Sequence, residues 1–256
     1  MSPFNYSFIF CLFFFSSLCC SSSNIPKLTS LVPVVYVVFG EIPLYLKINI
    51  ELAARNNPVV VLTDGSIVGT GTATATASPP QNRQPITIEH LGPYANTGNE
   101  FAKHYIHHSP DNSPGRKTHE LHCFQRWFIL SEYMDAKRLE HAFFGDGDSA
   151  VFQNMTEAYL KRQQCAAVIN VETQGSNVHW VGAGESSLWT RAAISEFARF
   201  TVSVYTTKRD ILLIKAHRRP SVVDMSLLWL WWCSHFNATE VRERERVCER
   251  EREKER

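Results

Sequence analysis

Two short β-branched runs, "LVPVVYVVFG" at Leu31–Gly40 and "VVVLTD" at Val59–Asp64, flank a segment of helical spacing. Unbroken runs of Val with aromatic company suit strands buried on both faces. The intervening "EIPLYLKINIELAARNNP" puts Leu44, Ile48, Leu52 and Ala53 on one helical face, and Asn57-Pro58 stops the helix. Strand, helix and strand in so short a length make a βαβ unit, and such units build parallel sheets. The expected class is therefore α/β, a Rossmann-type, mostly parallel sheet flanked by helices, as a single domain over residues 28–233. Ligands of such sheets bind beyond the carboxyl ends of the strands, where Gly40 and Asp64 lie.

Several chemistries are excluded by what the runs lack. No GxGxxG follows the first strand and no GxxxxGK[ST] occurs, which removes dinucleotide dehydrogenases and P-loop enzymes. No GxSxG elbow supports an α/β hydrolase. A formal net charge of +1 gives no basic field, so no nucleic-acid partner is expected. Only Cys123, Cys165 and Cys233 fall within the expected domain, and no CxxC pair exists to hold zinc. "HELHC" lies in a long amphipathic helix expected over Lys117–Ala136, with Leu121, Phe124, Trp127, Phe128 and Met134 as its apolar stripe. Its second histidine comes one residue too early for HExxH, so His119 and His122 read as polar flanks of a packed helix. His104, His107 and His108 read as solvated loop histidines.

The two ends do not resemble core. The apolar run Phe8–Cys20 has the length of a signal-peptide h-region and small residues follow it, although no Lys or Arg precedes it. It is shorter than the roughly 20 apolar residues of a membrane span. Residues 1–27 are expected to be a signal peptide or a short membrane anchor, placing the protein in the secretory pathway with membrane association through its N-terminus. The sequons Asn154-Met155-Thr156 and Asn237-Ala238-Thr239 fit a lumenal glycoprotein. "VRERERVCEREREKER" closes a charged tail over residues 234–256, expected to be disordered. Its dipeptide pattern is that of translated repetitive DNA, so the natural domain is expected to depart from this sequence after about Cys233. "GTGTATATAS", with "PPQNRQP" behind it, reads as a low-complexity loop over residues 65–85.

The chemistry concentrates in "FFGDGDSAVF", Phe143–Phe152. Two carboxylates in so apolar a run repel each other and lose hydration unless a positive group stands between them. A strand over Glu140–Gly145 would deliver Asp146 and Asp148 just past its end, with Gly147 letting the backbone turn. A hard divalent cation there would cancel the repulsion and hold phosphate oxygens. That is the chemistry for opening a nucleotide diphosphate–sugar bond. An Asp-Gly turn gives the same triplet, and what favours the metal is position, after a buried strand and one long helix downstream of a βαβ unit.

The run "CFQRWFILSEYMDAKRLEHAFFGDGDSAVF" resembles the helix–strand–Asp-x-Asp segment of GT-A-type nucleotide-diphospho-sugar glycosyltransferases. The resemblance extends from "VVFGEIPLYLKINIELAARNNPVVVLTD" through "SLWTRAAISEFARFTVSVY" to "VVDMSLLWLWW", leaving out the low-complexity stretch. It implies a GT-A-like sheet and transfer of a sugar from a nucleotide-sugar donor to a glycan, protein or lipid acceptor. It also implies Mn2+ or Mg2+ on Asp146 and Asp148, with Asp146 reaching the donor and with Gly40 and Asp64 near the nucleoside. Glu185 and Asp224 become candidate catalytic residues on the acceptor side. Read without the family, Glu185 is an exposed loop residue of "WVGAGESSLWT" and Asp224 is the N-cap of a helix over "MSLLWLWW". The chain departs from the family where a sugar-facing Gly-His-type turn would stand, since Gly184-Glu185 occupies it. A late histidine ligand common in the family has only His235 as a counterpart. These departures keep an alternative open, a catalytically inactive truncated fragment that at most binds nucleotide.

Overall fold

The computed structural model describes residues 30–65, 83–161, 166–171, 182–208 and 222–235. The signal or anchor segment, most of the low-complexity loop, the second sequon and the charged tail beyond His235 lie outside the described residues, while Ser234, expected in the tail, ends a helix.

The two β-branched runs form β1 (Val34–Val38) and β2 (Val59–Thr63), joined by α1 (Leu44–Ala53). They pair in parallel from Val34↔Val59 to Val38↔Thr63. β3 (Ile86–His90) extends the sheet in parallel beyond β2. A 3-10 turn at Gly92–Tyr94 and α2 (Asn96–Ala102) lead to α3 (Pro114–Lys137), which returns the chain to β4 (His141–Gly145). β4 lies parallel to β1 on the side away from β2. Beyond it come α4 (Met155–Leu160), β5 (Ala167–Val171), β6 (Gly182–Thr190), α5 (Arg191–Thr206) and α6 (Asp224–Ser234). The sheet order is β3-β2-β1-β4-β6-β5, and β6 runs antiparallel to both β4 and β5. Five of the described strands therefore share one direction and β6 alone opposes them, as the mostly parallel α/β expectation requires.

Alternate strand residues feed two cores. Val35, Val60, Leu62, Ala142 and Phe144 face α3, α5 and α6. Val34, Tyr36, Val59, Val61 and Phe143 face α1 and α4. Every residue of β2 and β4 is buried, which is why these runs are continuously apolar instead of alternating. Ser113 caps α3 by accepting the Arg116 N–H, Pro114 occupies its first turn, and Arg138 closes it in the left-handed region at φ 53°. The stripe Phe124, Trp127, Phe128 and Met134 is buried as the spacing demands, with Leu121 packed at its edge.

Two expectations are corrected here. On α1, Leu44 is 74% and Ile48 55% exposed, while Leu46, Asn49, Ile50 and Ala53 face the sheet. "LYLKINIEL" alternates apolar and polar residues by two, so both i, i+4 stripes are apolar and periodicity does not choose between them. On the buried face the Asn49 side-chain amide donates to the Gly147 carbonyl at 2.9 Å, a bond that the apolar Leu44, Ile48 and Leu52 side chains cannot make. His107 is also not solvated, since its side chain is 4% exposed and lies 3.1 Å from the buried Glu120 carboxylate.

Candidate active site

Strand order reverses direction between β1 and β4, because β2 and β3 build outward on one side while β6 and β5 do so on the other. Crevices that bind ligands in such sheets open at that switch point, beyond the strand ends. Gly40 follows the end of β1 there, and Asp146 follows the end of β4. Gly145 just before it is required by packing, since a Cβ would stand 2.6 Å from the Tyr36 ring.

Asp146 is held from two directions. Its Oδ1 accepts the Gly147 N–H at 2.8 Å, and its Oδ2 accepts Arg126 Nη1 at 2.9 Å. The other guanidinium nitrogen of Arg126 donates to Asp224 Oδ2 at 2.8 Å, and the Trp127 indole N–H donates to the same oxygen at 2.9 Å. Asp224 is 3% exposed, Arg126 11% and Asp146 35%, so the network runs from a buried carboxylate to the mouth of the site. A buried carboxylate costs several kcal/mol in lost hydration, and charge-assisted bonds from Arg and Trp are what offset it. Burial works against the charge on Arg126, but Asp224 and Asp146 outweigh it and keep the guanidinium firmly protonated. Asp148 is exposed, one residue beyond Gly147.

Arg126 and its link to Asp224 escaped the sequence reading. The available signal was an Arg placed directly before Trp127 on the packed side of an otherwise apolar helix face. Docking of α6 completes the network: Leu227, Leu228 and Trp231 bury against β6 and α5, and Trp231 stands 5.5 Å from the Trp189 ring. Asp224, the first residue of α6, thereby reaches across to α3.

On the β1–β2 side, Gly40 sits at φ +86° and donates its N–H to Asp64 Oδ1 at 2.5 Å. The Thr63 hydroxyl donates to the Gly40 carbonyl at 2.8 Å, and Gly65 packs against that carbonyl so closely that no side chain fits. Phe39 stacks on His122 at 4.0 Å beside this corner. Burial depresses the His122 pKa while the nearby Asp64 charge opposes the shift. Burial pushes the Cys123 thiol up to about 12, so it supplies no thiolate near the site.

The remaining candidates separate. Glu185 lies within β6, not in a loop, one residue beyond the Ser186↔Gly145 pair and so level with the carboxylate end of β4. Gly184 beside it makes room for the Trp127 ring, which a Cβ would strike. His235 is engaged away from the carboxylates, with Nε2 2.8 Å from Glu196 and Nδ1 2.8 Å from the Trp231 carbonyl. Asn154 spends its side chain capping α4, accepting the Glu157 N–H. Among the described residues no group of three or more His, Cys, Asp or Glu side chains is arranged to hold a metal. Hard cations such as Mg2+ are held at phosphate sites by one or two carboxylates, with phosphate and water oxygens completing the shell. Asp146, at the mouth of the site, and the exposed Asp148 are two such carboxylates, and no third completes a metal-holding group with them among the described residues. Two carboxylates, Asp146 and Asp224, bond the single Arg126 guanidinium, which leaves this network with one formal negative charge.

The fold of the chain is shared with a solved structure. The chain is similar to mouse xyloside xylosyltransferase 1 in its apo crystal structure, with a TM-score of 0.54 at 9% identity over 80% of this chain and 82% of that one. At that identity the likeness is one of fold. No protein-family model matches the chain, and no curated protein matches it significantly.

Proposed function

We propose that the chain is a glycosyltransferase that moves a sugar from a nucleotide-diphosphate donor to an acceptor hydroxyl, with Asp146 and Asp148 holding Mn2+ or Mg2+ against the diphosphate. The observation that carries this reading is the position of the two carboxylates, at the carboxyl end of β4 and at the switch point of the sheet. A bound divalent cation would neutralise the charge that develops on the leaving diphosphate. Arg126 and the Gly147 N–H fix the Asp146 carboxylate, so it need not reorganise when donor arrives. Asp224, buried and doubly hydrogen-bonded through one oxygen, positions Arg126 and is not itself the base. The Gly40–Asp64 corner serves the nucleoside, because the space beside the Gly40 Cα is open, with nothing within 4 Å of where a Cβ would stand. Glu185, level with the strand end, is the candidate base for the acceptor. The acceptor is a glycan, protein or lipid, and Phe8–Cys20 directs the protein into the secretory pathway. No described helix is long and apolar enough to cross a membrane.

The test is release of nucleoside diphosphate from a panel of nucleotide-diphospho-sugars in the presence of Mn2+ or Mg2+. Release from one donor is expected, abolished by EDTA and by Asp148→Asn, whose circular dichroism stays that of the wild type. Undiminished release in Asp148→Asn would remove the carboxylate pair from the mechanism. A folded protein that releases nothing from any donor would be the inactive fragment.

A further inference from the structure

An apolar cavity of about 220 Å³ opens under α4, on the face of the sheet opposite Arg126. Phe143, Met155, Tyr159, Val168 and Leu188 form its walls, and the chain that closes it, Ala150–Gln153, begins two residues after Asp148. An apolar cavity of about 150 Å³ suffices for benzene and stays dry when empty, so this one admits an aryl ring with a substituent. Keeping such a space unfilled forfeits the dispersion contacts its walls would otherwise make.

The cavity is also graded along the strand direction. Ser186 lines it opposite Gly145, the residue before the carboxylate pair, whereas Leu188 lines it opposite Phe143 and beside Val168. Two residues of strand separate these levels, about 7 Å. Its polar wall thus stands level with the end of β4 that Asp146 and Asp148 follow, and its apolar wall lies deeper. Phe152, which also lines it, is 64% exposed and continues the apolar surface to the opening. The Gly40–Asp64 corner lies on the other half of the sheet, at β1 and β2, so the donor's nucleoside does not compete for this space.

We infer that this cavity takes an apolar group carried by the acceptor, an aryl ring or short alkyl chain attached to the sugar or alcohol whose hydroxyl is to be modified. The inference rests on the transferase reading for the word acceptor, and the cavity's ligand class can be tested apart from it. Binding of 4-nitrophenyl and methyl glycosides of glucose, galactose and xylose to the full chain is measured by calorimetry, with nucleoside diphosphate release followed on the same preparations. In one sugar series the 4-nitrophenyl glycoside should bind about tenfold tighter than its methyl counterpart. Ala158→Phe, which fills the cavity from α4, should bring the two glycosides to within about twofold of each other. Val168→Phe fills the same space from β5 and should do likewise. Equal affinity for aryl and methyl glycosides in the wild type overturns the inference whether or not either variant folds, and so does an aryl preference that survives both substitutions in folded protein. An aryl preference lost on filling, in a protein that releases no nucleoside diphosphate, keeps the ligand class and removes the transferase reading.

Discussion

Asp148 and Asp224 are carboxylates of the same candidate site with opposite physical situations. Asp148 is exposed, while Asp224 is 3% exposed and bonded to Arg126 and Trp127. Removing Asp224 leaves Arg126 its bond to Asp146 but takes the acceptor from the buried Trp127 N–H and from one guanidinium nitrogen, at a cost of about 1–3 kcal/mol. Asp224→Ala should therefore lose roughly that much in urea denaturation, and Asp148→Asn should stay within about 0.5 kcal/mol of the wild type. Equal stability of the two variants would show that the Arg126 network is not holding α6 to α3. Asp146 and Asp148 were legible because an Asp-x-Asp triplet after a buried strand is a local pattern. Arg126 was not, because its meaning depends on Asp224, 98 positions away in sequence. The same holds for His107, whose burial depends on Glu120 of α3.

Elements were legible where composition and period agreed. β1, β2 and β4 are β-branched or aromatic runs buried on both faces, and each falls where the sequence puts it. α1 was placed correctly but turned the wrong way, because its period-two alternation supports either face. Leu46→Ala should cost about 2–5 kcal/mol in stability and Leu44→Ala no more than about 0.5 kcal/mol, measured by chemical denaturation; the reverse order would contradict the assigned face. β6 lies where the resemblance implied a turn and where Glu185 was read as a loop residue, and "GAGESS" is itself poor in strand formers. Its strand is imposed by ladders to β4 and β5 on either side, and Gly184 serves the packing of Trp127. Tertiary pairing overrides local propensity there.

Across the molecule, His108, His122 and His141 are each depressed by burial below the ordinary 6.5. The unfolded chain therefore binds more protons than the fold once the pH drops below about 6.5, and stability must fall with it until the depressed folded values are passed. Melting temperatures taken from about pH 7.5 down to 5 should decline through that window, less steeply in His141→Asn. A flat profile would mean that these rings are solvated. The parallel α/β organisation was legible as a whole from one βαβ unit, and the switch point that it creates is what gives the two carboxylates a common place with Gly40.

The central claim is that Asp146 and Asp148 bind a diphosphate through a divalent cation. Titration of the full chain with nucleoside diphosphates, with and without Mn2+, tests it most directly, with Asp146→Asn and Asp148→Asn beside the wild type. Saturable binding of one nucleoside diphosphate is expected only when Mn2+ is present, and it should weaken about tenfold or more in each variant. Binding that ignores the metal, or that persists unchanged in both variants, would contradict the account.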